Sequence, residues 1–474
     1  ARRRERRVPS CAAWRTEHRL GGGGRGAHKS SSGGCSFGVG NLFDIMSERL
    51  DDEETMETTL ASGEDRLEAL PNDLLIYLMS FLPSRDSVRT CVLGKRWSTL
   101  WKSVPALRID DPDSYDAVSG SNTFVNEFLR LRDPTPLNVC DISSDCVETT
   151  ADYPEWADEA FQQMKPWVWY ALSCQVQVLK ICFPWRVIDT TLISSHLKRL
   201  HLDGMHFEGC SLDFSSCKVL EVLEMISCDI YANIMSQTLR HLKINGGGFC
   251  IDDRIRISTP NLIGFRLAPL WGWAPLLDSM PSLVTTSVKL GEGCEEELCY
   301  CSNPSCEGCD AQPGGTNYPV ALQSLSGATN LKLKIYDPTR LSIFRMDLKW
   351  RPVFSKLKTL LLNEWCVGDD FTGLIYFLQH SPILETLTLQ LDLQSFEDYH
   401  LSKTDESCNL KEQSLLSPHL KVVKIICCTP EDVIVRRILK ILCAHGVPYE
   451  KIEVEVRMVQ FRSIYDQIIP VIQT

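Results

Sequence analysis

Residues 197–244 read LKRLHLDGMHFEGCSLDFSSCKVLEVLEMISCDIYANIMSQTLRHLKI, and one six-residue phrase occurs in them three times: Leu197-x-x-Leu200-x-Leu202, Leu220-x-x-Leu223-x-Met225 and Leu239-x-x-Leu242-x-Ile244. Outward from this stretch, the phrase precedes it at Val176/Leu179/Ile181 and follows it at Leu262/Phe265/Leu267. It weakens at Leu283/Thr286/Val288 and Ala328/Leu331/Leu333. It is strong again at Leu357/Leu360/Leu362, Leu384/Leu387/Leu389 and Leu420/Val423/Ile425. The first six starts stand 21, 23, 19, 23 and 21 residues apart. The end of each phrase alternates as a strand does and puts its apolar side chains on one face, while the first apolar residue closes the turn before it. One unit cannot bury that face. Stacked neighbours share a continuous core and a parallel sheet.

A recurrence of about 20–29 residues with this phrase is the signature of leucine-rich repeats. The spacing predicts an α/β fold in which residues 171–428 form a leucine-rich-repeat solenoid with a parallel β-sheet. The chain is expected to return between strands through irregular segments such as 203–216. Thr259-Pro260, Ser381-Pro382 and Ser417-Pro418 punctuate the turns that open repeats. A β-rich globular domain with fortuitous leucines is the competing reading, and ten occurrences weigh against it.

Ahead of the repeats, order is expected to begin at Asp65-Arg66-Leu67, and residues 67–101 read LEALPNDLLIYLMSFLPSRDSVRTCVLGKRWSTLW. Asn72 and Asp73 offer acceptors to the free N–H groups of a first helix, with Leu74, Leu75, Leu78, Met79 and Leu82 at helical spacing. Pro83 stops it. Ser84 is placed to cap a second helix carrying Val88, Cys91 and Val92 on one side. Gly94 breaks the chain again before a third helix over 95–101 with Trp97, Leu100 and Trp101 apolar. Three short helices cannot enclose this much apolar surface. The excess must rest on the downstream repeats or serve as a docking face for another protein.

The run Leu70-Pro71-x-x-Leu74-Leu75-x-x-Leu78-x-x-Phe81-Leu82, followed by Val88, Cys91, Leu93 and Lys95-Arg96-Trp97, resembles an F-box. That resemblance covers 65–105 and implies binding to a Skp-type adaptor, and through it to a cullin and RING ligase core. Carried over by position, the adaptor contacts would be Leu70, Pro71, Leu74, Leu75, Phe81, Leu82, Val88, Cys91, Lys95, Arg96 and Trp97. Residues 106–170 read as a transition: an amphipathic helix with Phe124, Val125, Phe128, Leu129 and Leu131, a strand near 137–142, and a helix over 156–169. At the other end, Thr429-Pro430-Glu431-Asp432 is a good helix start. Val433, Ile434, Ile438, Leu439 and Leu442 follow, Gly446 ends the helix, and Ile452-x-Val454-x-Val456 alternates as a last strand. Residues 429–474 therefore read as a cap. The whole order is similar to plant F-box proteins with leucine-rich repeats and an FBD-type C-terminal region. It implies a non-catalytic subunit that recruits an unknown protein substrate to a Skp-cullin-F-box ubiquitin ligase. A repeat scaffold without a ligase role, or a small-molecule hormone co-receptor, are the alternatives; the sequence shows no dense basic cluster for a phosphorylated cofactor.

Composition limits the other possibilities. With 474 residues, 44% hydrophobic and 23% charged, the chain has the makeup of a folded protein longer than one compact core. A net charge of −12 argues against general nucleic-acid or anionic-membrane binding, and no apolar run reaches the roughly 18 residues of a membrane span. The 21 cysteines are mostly scattered, as Cys182, Cys217 and Cys250 are among apolar repeat positions, and read as reduced thiols of the nucleus or cytoplasm. Metalloprotease, nucleophile-elbow, phosphate-loop and kinase motifs are absent, and no cofactor is expected. His201, His206 and His241 are expected on repeat surfaces. Cys294, Cys299, Cys301, Cys306 and Cys309 crowd into an insertion at 291–316 and could ligate one zinc, although only Cys306-x-x-Cys309 has ligand-like spacing. An acidic loop is the plainer reading of that insertion. Residues 1–64 read as a disordered lead-in, of which 1–45 precede the first methionine, Met46, and are either translated upstream sequence or a disordered arm.

Overall fold

The computed structural model describes residues 67–457 apart from 68, 112–117, 145–155, 188–191, 208–211, 251–253, 291–292, 296–320, 336–343, 345–347, 349–350, 368–370, 392–418 and 429–432. Among these residues the phrase does what its chemistry requires. Each occurrence ends in a strand, and the strands pair in parallel and in register within a 17-stranded sheet: Leu200 beside Leu223, Leu223 beside Leu242, Leu242 beside Phe265. The apolar positions of all ten phrases are buried, in one core that runs from Leu75 to Val447.

The array starts earlier than expected. Ala106–Asp111 pairs in parallel with Val139–Ser144, which pairs in turn with Val178–Val187. Val104/Leu107/Ile109 and Leu137/Cys140/Ile142 are buried in the same positions as the later phrases. Within 106–170 the described residues thus supply two further repeat strands, followed by the long helices Val118–Leu131 and Trp156–Ser173. Their wide spacing and the cysteine in a leucine position conceal them in the sequence.

Among the described residues, six of the ten phrases open with a backbone-closed turn, at Leu220, Leu262, Leu283, Ala328, Leu357 and Leu384. Leu220 N–H donates to Cys217 O at 3.2 Å, Leu262 N–H to Thr259 O at 3.4 Å and Leu384 N–H to Ser381 O at 3.2 Å. The next residue then donates to the preceding repeat: Glu221 to Lys198 O (2.9 Å), Arg240 to Glu221 O (2.8 Å), Ile263 to Arg240 O (2.8 Å) and Val284 to Ile263 O (2.9 Å). Buried backbone groups are thereby paired repeat by repeat, each bond contributing on the order of 1 kcal/mol net.

The returns are more regular than expected in the middle of the array. Leu212–Asp213, Ile234–Met235, Arg256–Ser258 and Leu276–Leu277 form a second, four-stranded parallel sheet, so part of the segment 203–216 is strand. Later returns are helical, as in Ala321–Leu325 and Thr372–His380. Gly247, at φ +61°, marks how tightly these layers close: a Cβ there would lie 2.0 Å from Cys228 O. Of the three cysteines placed among apolar positions, Cys217 is buried, whereas Cys182 and Cys250 are only half-buried.

One weak phrase makes a test. Thr286 is fully buried, and its hydroxyl has no hydrogen-bond partner among the described residues. Thr286→Val keeps the shape and removes an orphaned polar group. It is expected to raise unfolding free energy by about 1 kcal/mol, read as a higher Tm.

At the C-terminal end, helix Val433–Ala444 buries Ile434, Val435, Ile438, Ile441 and Leu442, while Val433 is exposed. Gly446 ends it at φ +82°: Gly446 N–H donates to Cys443 O and Val447 N–H to Leu442 O, both at 2.9 Å, with Val447 and Leu442 buried together. The expected start of this helix, 429–432, lies outside the described residues, as do the lead-in 1–64 and the end 458–474. Ile452–Val456 joins the sheet beside Val422–Cys427, yet Val454 and Val456 stay exposed. The last strand completes the hydrogen-bond ladder of its neighbour without being covered in turn among the described residues.

Candidate functional site

The N-terminal helices are apolar on two faces, and only one is used internally. Helix Asn72–Met79 turns Leu75 and Met79, four residues apart, toward the repeats. Val88 of helix Ser84–Arg89 joins them, with Trp97 and Leu100 of helix Trp97–Leu100 and the adjoining Trp101. Trp101 stacks on Phe128 with ring centroids 5.3 Å apart, so this module and the first repeat share one interior.

The other face carries Leu74, Tyr77, Leu78, Phe81, Val92 and Leu93, each between 48% and 75% exposed. Eight of the 19 exposed large apolar side chains among the described residues fall within 67–93, which marks this face as a patch and not scattered surface. Tyr77 and Phe81 meet edge to face at 5.1 Å, which presets the patch's relief.

Polar contacts hold the patch in place. Arg96 donates from Nε to Asn72 Oδ1 at 2.8 Å and from its other terminus to Leu70 O, tying the leading Leu-Pro to the third helix. Arg108, on the first repeat strand, donates from Nε to Ser80 O and from its backbone N–H to Ser84 Oγ, both at 3.0 Å. Ser87 Oγ donates to Met79 O at 3.1 Å. Neither expected cap forms: Asn72 and Ser84 spend their side-chain oxygens on Arg96 and Arg108, and prolines occupy the N-cap positions. Val92, expected beside Val88 and Cys91, is 75% exposed because the helix tightens into a 3-10 turn at Thr90–Leu93.

The eleven residues carried over as contacts therefore divide. Leu75, Val88 and Trp97 are buried in the shared core. Leu70, Cys91 and Arg96 are partly buried, with Arg96 acting as a staple. Pro71, Leu74, Phe81, Leu82 and Lys95 are exposed. Tyr77, Leu78, Val92 and Leu93 share their surface, although none was carried over as a contact. The signal for them was present, since a helix apolar all round needs a second surface to lie against.

The described residues contain no group of three or more His, Cys, Asp or Glu side chains placed to hold a metal ion. The zinc candidates lie outside them, apart from the backbone of Cys294 in strand Gly293–Glu295. His201 and His206 sit on the repeat surface, 3.2 Å from Glu224 and 3.4 Å from Asp229. Burial pushes the Cys140 thiol far up and the Cys228 thiol up to about 12, so both stay protonated. Among the described residues no helix is long and apolar enough to cross a membrane.

No protein-family model matches the chain. An F-box/LRR-repeat protein of Arabidopsis thaliana is 24% identical over 412 residues, spanning 76% of this chain and 84% of that protein. An FBD-associated F-box protein of the same plant is 25% identical over 390 residues, 73% of this chain and 88% of the relative. A second FBD-associated F-box protein is 44% identical, over 84 residues that make up 18% of this chain and 19% of the relative. In sequence, over most of its length, the chain is thus similar to plant proteins that combine an F-box with leucine-rich repeats and an FBD-like region.

Proposed function

We propose that this chain, similar to the plant F-box/leucine-rich-repeat proteins, is the substrate-recruiting subunit of a Skp-cullin-F-box ubiquitin ligase. The observation that carries the reading is the apolar patch of Leu74, Tyr77, Leu78, Phe81, Val92 and Leu93, which the chain's own core leaves uncovered. An adaptor seated there would bury it, and the rigid join through Arg108 and Trp101 would hold the repeats at a set distance from the ligase core. The subunit itself performs no catalysis; its repeats select the protein to be modified. It acts in the nucleus or cytoplasm, where thiols such as Cys140 and Cys228 stay reduced.

Affinity purification of the tagged full chain, co-expressed with a Skp-type adaptor and a cullin, tests the reading. Stoichiometric recovery of both is expected. A full chain that folds and melts cooperatively yet retains neither would overturn it and leave a binding scaffold.

A further inference from the structure

Past the repeated phrases, the parallel pairing of the middle repeats continues into a second, shorter ladder whose outward side is aromatic. Arg199–Phe207, Asp229–Ile230, Gly248–Phe249 and Trp271–Trp273 lie side by side, and register places His206, Asp229, Gly248 and Trp271 in one row. Phe207, Ile230 and Phe249, each one residue further on, are buried, so this row faces away from the core. Tyr231 follows Ile230 and is part-exposed. Its ring centroid lies 4.9 Å from that of His206 and 6.1 Å from that of Trp271.

Gly248 lets the row close up. A Cβ there would stand 2.2 Å from Trp271 Cδ2 and from Trp271 Cε2, the two atoms that the rings of the indole share. Contact at that bond comes from a face, because an approach along the edge meets the outer ring atoms first. The indole therefore lies flat over the Gly248 backbone with its second face turned away from the sheet, and Trp271 is part-exposed. It reaches toward Asp229, which stands on the far side of that glycine. The Asp229 carboxylate is 35% exposed, and its one ion-pairing neighbour among the described residues is His206, at 3.4 Å. Two residues along the same strand, Trp273 shows what such a ring takes: the Arg254 guanidinium sits 5.1 Å from its centroid.

From this juxtaposition we infer that the outer face of Trp271 and the Asp229 carboxylate together bind an arginine side chain of the recruited protein. A guanidinium is planar and stacks on an aromatic face within about 6 Å of its centroid, while its N–H fork meets a carboxylate. Neighbouring strands lie about 4.8 Å apart, so a group over the Gly248 end of the indole is within ion-pairing reach of Asp229. The Tyr231 ring, inclined at 54° to the indole, forms a side wall. A lysine ammonium would gain the charge attraction without the flat stacking. The assignment deepens the ligase reading, on which the words "recruited protein" rest. The seat itself does not depend on an adaptor.

The test uses the full chain and two fluorescein-labelled peptides of equal charge, one of alternating arginine and glycine and one of alternating lysine and glycine. Binding is read by anisotropy, with capture of the Skp-type adaptor measured in parallel. Wild-type protein should bind the arginine peptide at least about threefold more tightly, since general attraction to a chain of net charge −12 serves both peptides alike. Trp271→Ala should weaken the arginine peptide about tenfold and erase the preference. Asp229→Asn keeps the shape, loses only the charge and should weaken that peptide about threefold, which carries the test should the alanine variant lower Tm. Adaptor capture should be unchanged in both variants, because the seat lies on the repeats and the docking patch on the helices ahead of them. Unchanged arginine affinity in either folded variant overturns the assignment, as does a wild type that binds both peptides alike. Arginine-selective binding without adaptor capture would uphold this seat and sink the ligase reading; capture without arginine-selective binding would do the opposite.

Discussion

Leu74→Asp combined with Phe81→Asp is expected to abolish capture of a Skp-type adaptor, weakening it by about a hundredfold or more, while leaving the fold intact. Both side chains are about half exposed in the free chain, 48% and 60%, so a carboxylate at either position keeps its water and leaves no cavity. In the complex the same positions would lie within a desolvated apolar contact, where truncating a central residue commonly costs about 2 kcal/mol or more and a buried unpaired charge adds to that. Leu75→Ala supplies the contrast. Leu75 is one residue away but wholly buried, and its truncation should lower unfolding free energy by about 2–5 kcal/mol. Pull-down and thermal melting on the same preparations separate the two outcomes. Undiminished capture by the double aspartate variant would place the adaptor elsewhere. A collapsed Tm in that variant would show the patch to be core.

Trp365→Ala should be the most damaging single truncation in the late repeats, at about 3–5 kcal/mol. Trp365 is fully buried in the 3-10 segment Glu364–Val367 that follows strand Thr359–Asn363. Its ring lies 5.1 Å from that of Phe344 and 6.3 Å from that of Phe377, and its Nε1–H donates to Leu333 O at 3.3 Å. Alanine removes the filler between two repeats and the donor to a buried carbonyl together. Because a solenoid is held by nearest-neighbour contacts, the loss should appear in urea denaturation as early unfolding of the C-terminal repeats. The early repeats and adaptor capture should survive to higher denaturant. A single transition with unchanged midpoint would mean that neighbouring repeats close over the space. Trp365→Phe, which keeps most of the volume and loses only the N–H, should cost markedly less.

By itself the sequence determined the repeating unit, its parallel sheet and the existence of an N-terminal helical module with more apolar surface than it can bury. These follow from local periodicity. Leu197/Leu200/Leu202 can be buried together only if the neighbouring phrase stacks on them, and no other part of the chain need be known to say so. Tertiary structure decided which of the two apolar faces of 67–101 is inside. Leu74 and Leu75 are chemically identical, and only the direction from which Trp101 and Phe128 approach makes one core and the other surface. It also decided that 106–170 belongs to the array, because Cys140 is identified as a repeat position by pairing with Leu107 and Leu179 and not by being a leucine. Stacking also cancels the length of chain between repeats: parallel strands set residues side by side according to their place in the repeat, as Thr286 lies beside Leu331 although 45 residues separate them in sequence.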